Sequence, residues 1–301
     1  MPDGTLRRMP ELPDVTVYVE QLAARLAGDR LRRMTVLNAF VLRTAQPSPA
    51  ELEGLRVTGV RRLGKRVVLA LEGDRFIVIH LMVAGRLQWK PAGAKPSRGA
   101  LAQFAFDAGT LVLTEAGTRR RASIHLIDGE AALAALDPGG LEVMDADAAA
   151  FAARLRLENH TLKRALTNPQ LFSGIGNAYG DEILHRARLS PLQLTRALDD
   201  EAAARLWQSA RAVLAEWTER LSAEAVSNGG WPAKVTAFRP EMAVHGRYRE
   251  PCPDCGAPVQ RIVHAENETN YCARCQTGGR LLADRALSRL LKDSWPRLLD
   301  E

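Results

Sequence analysis

Between residues 15 and 26, apolar side chains fall at Val15, Val19, Leu22, Ala23 and Leu26, the spacing of a helix with one buried face. Beyond it the period changes. The runs Arg66–Leu71 and Phe76–Leu81 are apolar and largely β-branched, and they flank Glu72-Gly73-Asp74. Phe104–Phe106 and Leu111–Leu113 flank Asp107-Ala108-Gly109 in the same way. Both are hairpin signals, and they predict a β-sandwich or barrel-like first domain after one opening helix. Asp137-Pro138-Gly139-Gly140 reads as a linker, and from Ala131 to about Ser227 alanine, leucine, arginine and glutamate recur at helical spacing. The helical pattern stops at Asn228-Gly229-Gly230 and is predicted to return from Arg280 to Lys292, with Leu281, Leu282, Leu287, Leu290 and Leu291 opposite Arg285, Arg289 and Lys292. There is no internal repeat.

With 301 residues, 46% apolar and 25% charged, the chain has the composition of a soluble protein large enough for two domains, or for one domain plus small modules. No run approaches the roughly 18 apolar residues of a spanning helix, and the opening Met1-Pro2-Asp3-Gly4-Thr5-Leu6-Arg7-Arg8 lacks the apolar core of a signal peptide. A cytoplasmic monomer with no membrane association is expected. The formal charge of +6 favours a polyanionic partner, since binding nucleic acid releases condensed counterions. Clusters at Arg61-Arg62, Lys65-Arg66 and Arg119-Arg120-Arg121 point the same way, although each is also compatible with an ordinary solvated strand edge or loop.

The cysteines are more specific. Cys252, Cys255, Cys272 and Cys275 follow the pattern Cys-x2-Cys-x16-Cys-x2-Cys and are the only cysteines in the chain. Two such pairs on tight knuckles, with Gly256 after the first and a hairpin-length insert between, form a tetrahedral thiolate site for one zinc ion. Two disulfides are the alternative, disfavoured for a cytoplasmic chain. Four thiolates leave no open coordination position, so the ion is structural. Such ribbons occur in transcription factors, ribosomal proteins and enzymes alike, and the surroundings must discriminate.

The surroundings are those of a family. Residues Met242 to Val259, continuing at Asn270 to Gln276, resemble the zinc finger of bacterial formamidopyrimidine-DNA glycosylase and its sister endonuclease VIII. Met9-Pro10-Glu11-Leu12-Pro13-Asp14-Val15 is similar to the family's N-terminus, and Asn168 to Glu182 is similar to its helix, two-turn, helix DNA clamp. The resemblance runs in the family's order from residue 9 to about residue 277. It implies an α+β fold: an N-terminal β-sandwich with flanking helices (9–135), a helical helix-two-turn-helix domain (141–228), a C-terminal zinc finger built on a β-hairpin (229–277), a helical extension (278–301), and residues 1–8 as a non-native or mis-assigned extension.

The resemblance also implies an activity: excision of oxidised bases from double-stranded DNA, followed by abasic-site lyase cleavage. In the family an N-terminal proline amine attacks the deoxyribose carbon that bears the base. An α-amine with a pKa of about 8, against about 10.4 for lysine, keeps a useful neutral fraction at pH 7. By this resemblance Pro10 is the nucleophile, Glu11 the adjacent acid/base, and Lys65, read on the first hairpin strand, the lysine that contacts phosphate and assists elimination. Lys163 matches another family lysine near the damaged nucleotide. In Gly174-Ile175-Gly176-Asn177, two glycines let backbone N–H groups approach a phosphate at a helix start, and Asn177 can add a side-chain donor. Arg119, Arg120 and Arg121 stand where the family carries Arg-Arg-Phe.

In the sequence as given, eight residues, Pro2 to Met9, lie between Met1 and Pro10. A proline acylated by them has no nucleophilic lone pair, so catalysis requires a start at Met9 or processing. A blocked proline leaves a damaged-DNA-binding protein of the same fold, and a transcription-factor ribbon would leave Met9–Val15 and Lys65 unexplained. Four departures blur the substrate. Val83 aligns with a family methionine, with Met82 placed on the other strand face by alternation; Arg121 replaces an aromatic wedge; the chain between Gly229-Gly230 and Gly246-Arg247 is short; and Asn267 replaces an arginine at the finger tip. Ring-opened purines, oxidised pyrimidines, hydantoins and abasic sites stay open beside 8-oxoguanine.

Overall fold

The computed structural model describes residues 9–97, 99–116, 120–232, 239–264, 267–283, 289–290 and 297–299. By its contacts the chain forms two compact units, Met9–Pro138 with Trp217–Thr236, and Gly139–Glu216 with Ala237–Glu301. Helix α1 (Leu12–Leu26) opens the first. Its apolar face buries Val15, Tyr18, Leu22 and Leu26, Pro13 sits in the first turn, and the Asp14 carboxylate accepts the Glu11 backbone N–H at 3.0 Å. There follow β1 (Leu31–Val36), a short α2 (Pro49–Leu52), β2 (Val57–Leu63), β3 (Arg66–Leu71), β4 (Arg75–His80), β5 (Gly85–Lys90), β6 (Ala100–Phe106), β7 (Thr110–Glu115), β8 (Ser123–Asp128) and α3 (Glu130–Ala134).

The strands make two four-stranded antiparallel sheets, in the orders β1-β6-β7-β5 and β2-β3-β4-β8. Alternating side chains from both, among them Leu69, Ile77, Ile79 and Leu126 against Phe104, Leu111 and Leu113, share one core with Tyr18 and Leu22 of α1. Both predicted hairpins form, β3 with β4 and β6 with β7. Past the end of α7, Trp231 packs on the same core: its ring lies 5.5 Å from Tyr18 and its indole N–H donates to the Leu87 carbonyl at 3.1 Å.

The second unit contains α4 (Ala148–Arg156), α5 (Leu162–Thr167), α6 (Asn177–Arg186), most of α7 (Asp200–Ser227), the hairpin β9 (Val259–His264) with β10 (Asn267–Cys272), and α8 (Ala273–Thr277). Helix α6 is buried nearly throughout, from Ala178 to His185. The finger has its own small core of Val244, Ala257 and Val259 around the cysteines. The helix expected over Arg280–Lys292 is not seen at its start: Arg280 bridges Leu298 and donates its backbone N–H to Thr277, while Leu281 to Ala283 are non-helical; most of its remainder lies outside the described residues. No helix among the described residues is long and apolar enough to cross a membrane.

Candidate nucleic-acid interface and metal centre

In the first unit Pro10 is buried and lies just before Glu11, the N-cap of α1, which is 2% exposed. Lys65 lies not on a strand but in the Gly64-Lys65 turn between β2 and β3, where Gly64 takes a positive φ of 59°. The difference is one residue, because the β2–β3 ladder closes at Leu63↔Arg66. His80, at the end of β4, pairs in register with Arg66 and Ser123. Burial, followed by the charges of Arg66, Lys65 and His125, lowers the His80 pKa to about 4, so its imidazole is neutral at physiological pH.

Two loops leave neighbouring positions on the β5–β7 pair, where Gly85 faces Glu115. In the first, Leu81 to Gly85 is a turn closed by the Gly85 N–H on the Leu81 carbonyl at 2.9 Å. A Cβ on Gly85 would meet that oxygen at 2.2 Å, so only glycine fits. Met82 takes a positive φ of 52°, and strand alternation therefore does not govern which way Met82 and Val83 face, contrary to the expectation from the sequence. The second loop carries Arg120 and Arg121, both exposed; Arg119 lies outside the described residues. The buried Glu115 carboxylate anchors its far end, accepting the backbone N–H groups of Arg121 at 2.9 Å and Ala122 at 3.1 Å. Ala116 N–H on the Ala84 carbonyl, 3.3 Å, joins the two loops at their base.

In the second unit, Gly174 adopts a positive φ of 77° and Gly176 is the extended N-cap of α6, so the backbone turns sharply into a helix whose first residue is Asn177. At such a helix start, backbone N–H groups and the helix dipole favour an anion. The Asn177 side-chain amide donates to the Glu268 carbonyl of β10 at 2.8 Å. Lys163 is not an exposed cation. It is 8% exposed, and its ammonium donates to the Asp181 carboxylate at 2.5 Å and to the Asn177 carbonyl. The fully buried Asp181 also takes His245 Nδ1 at 2.7 Å and the Asn270 N–H at 3.1 Å, and its neighbour Glu182 accepts the backbone N–H groups of Ala243, Val244 and His245 at 2.7–2.9 Å. Asp181, Glu182, His245, Glu115 and His80 were missed by sequence reasoning. The one signal available was an adjacent acid pair on a helix otherwise reading as buried.

The four cysteine sulfurs lie within 4.8 Å of one another, with Cys252 and Cys275 3.9 Å apart and Cys255 and Cys272 3.4 Å apart. Zinc–sulfur bonds of about 2.3 Å in a tetrahedron require sulfurs about 3.8 Å apart, so the donor set fits one structural zinc. The first knuckle is closed by Gly256 N–H on the Cys252 carbonyl at 2.9 Å, and Cys272 Sγ accepts the Cys275 N–H. Asn267 opens β10 at the tip, whose residues 265–266 lie outside the described residues. A groove of about 450 Å³ lined by Arg61, Phe76 and Glu130 of the first unit holds none of the expected site residues.

Three family models match the chain in succession: the formamidopyrimidine-DNA glycosylase N-terminal domain over residues 9–124, its H2TH domain over 136–226, and the zinc finger found in FPG and IleRS over 249–278. The formamidopyrimidine-DNA glycosylase of Thermus thermophilus is 34% identical over 282 residues, covering 90% of this chain and 100% of the relative. That of Solibacter usitatus is 30% identical over 271 residues, covering 89% and 99%. Among solved structures, the Thermus thermophilus protein superposes with a TM-score of 0.75 at 32% identity over 89% of this chain and 98% of that one. The Lactococcus lactis enzyme, bound non-covalently to DNA containing an abasic site, gives 0.77 at 25% over 89% and 99%. With the sandwich, the glycine turn into α6 and the four-thiolate finger each falling under its own matching model, the chain belongs to the formamidopyrimidine-DNA glycosylase family.

Proposed function

We propose that this chain is a bifunctional DNA glycosylase and abasic-site lyase acting on oxidised bases in duplex DNA through the amine of Pro10. The observation that carries the reading is the junction of Pro10 and Glu11 with α1, at the start of the segment matching the glycosylase N-terminal domain. That match begins at Met9, and removal of Met9 from a chain starting there frees the proline nitrogen.

In this reading the Pro10 nitrogen bonds to the sugar C1′ as the glycosidic bond breaks, and Glu11 is the group placed to supply or take the accompanying proton. The resulting iminium acidifies the C2′ proton, whose loss expels the 3′ phosphate; a second elimination expels the 5′ phosphate. Lys65, held in a turn beside Arg66, meets phosphate and assists elimination. The α6 N-terminus with Gly174, Gly176 and Asn177 holds another phosphate. Arg120 and Arg121, with Arg119, meet the gap left by the extruded base, where a guanidinium stacks in place of an aromatic ring. Lys163 acts behind this surface, fixing the Asn177 carbonyl rather than touching DNA.

Borohydride trapping tests the reading. Protein beginning at Pro10 is expected to form a covalent adduct with duplex DNA carrying an abasic site, and protein beginning at Met1 is not. Absence of an adduct with the Pro10 form sinks the lyase mechanism. A second reading, a non-catalytic damaged-DNA binder, holds if the Pro10 amine is blocked, and mass spectrometry of the native protein decides: intact Met1 supports the binder, a start at Pro10 the enzyme.

A further inference from the structure

Helix α6 ends beside the metal centre. His185, in its last turn and 3% exposed, places Nε2 3.3 Å from Cys252 Sγ, while the nearest carboxylate oxygen, on Asp254, is 4.0 Å away. A zinc-bound thiolate carries no proton and can only accept a hydrogen bond, which fixes the hydrogen on Nε2. The same helix meets the hairpin of the finger at two other points: Asn177 donates to the Glu268 carbonyl at 2.8 Å, and Asp181 accepts the Asn270 N–H at 3.1 Å. All three partners flank or belong to the cysteine hairpin.

We infer that His185 is a positioning residue of the zinc site, donating Nε2–H to the Cys252 thiolate and so tying the metal to the helix that opens with the phosphate-binding turn. The thiolates of a four-cysteine site carry more negative charge than zinc neutralises, and a buried N–H draws off part of that excess where no water reaches. Metal binding then orders more than the knuckles. It also pins the C-terminal turn of α6, whose N-terminal turn is pinned by β10.

The experiment uses the full chain loaded with zinc for metal transfer and, separately, with Co(II), whose sulfur-to-metal charge-transfer bands report electron density on the thiolates. His185→Phe keeps the volume and removes the donor; His185→Gln keeps a donor. For His185→Phe we expect a shifted charge-transfer band, zinc transfer to a chelator about tenfold faster or more, and faster hydrogen exchange in residues 177–186. His185→Gln is expected to restore most of each. If His185→Phe does not fold, His185→Met against His185→Gln makes the same comparison. An unchanged band and transfer rate overturn the proposal, as does a wild-type Co(II) spectrum of three thiolates and one nitrogen, which would make His185 a ligand.

Discussion

The ammonium of Lys163 faces Asp181 inside the second unit, and this decides what its loss should do. Lys163→Met leaves a carboxylate with no exposed side-chain surface short of its main counter-charge, a change expected to cost about 3–5 kcal/mol of stability. Urea unfolding checks it: unchanged stability with weakened DNA binding would return Lys163 to the DNA surface. His80 provides a pH signature. Its folded pKa of about 4 lies below the ordinary 6.5, so between those values the unfolded chain takes up a proton that the folded chain refuses. The stability that its neutral form allows is complete above pH 6.5 and falls as pH drops toward 4, by at most on the order of 3 kcal/mol. Comparing urea midpoints at pH 7 and 4.5, His80→Gln is expected to lose less than the wild type; an equal loss in both would show that His80 does not titrate this way.

At the scale of elements, the arginine loop that leaves β7 depends on one side chain. Glu115 offers carboxylate oxygens to two backbone N–H groups, which an amide cannot match, because one of its two heads is itself a donor. Glu115→Gln is expected to weaken the closure of the arginine loop by about 1–3 kcal/mol, read as roughly five- to 150-fold faster hydrogen exchange at Arg121 and Ala122. Unaltered exchange would place the anchor elsewhere. Regular elements were readable in the sequence because period and turn chemistry are local: α1, both hairpins and the cysteine knuckles follow from residues a few positions apart. What the loops do was not. Met82 was assigned a strand face, but the glycine required at position 85 by its close approach to the Leu81 carbonyl makes the segment a turn.

For the whole molecule, the order of modules and the zinc ligands were legible, since each is a compact motif. The buried polar network was not. Asp181 and Glu182 sit on α6, while His245, Asn270 and the backbone of residues 243–245 come from more than sixty residues away, and no spacing rule joins them. Lys163 accordingly reads in the sequence as one more basic residue of a DNA-binding surface. In the structure the polar network holds its ammonium inside the second unit.

Glu182 holding three successive backbone N–H groups ahead of the first cysteine has a practical meaning for protein engineering. Zinc fingers are commonly imagined as cassettes that can be cut at their cysteines and moved. Here the lead-in strap is moulded by a carboxylate that stays behind in α6, and the strand after the tip is moulded by Asp181. A transplant of residues 249–278 would carry the metal but lose its mount, and a donor fragment intended to keep its native shape must bring the helix from Gly174 onward with it.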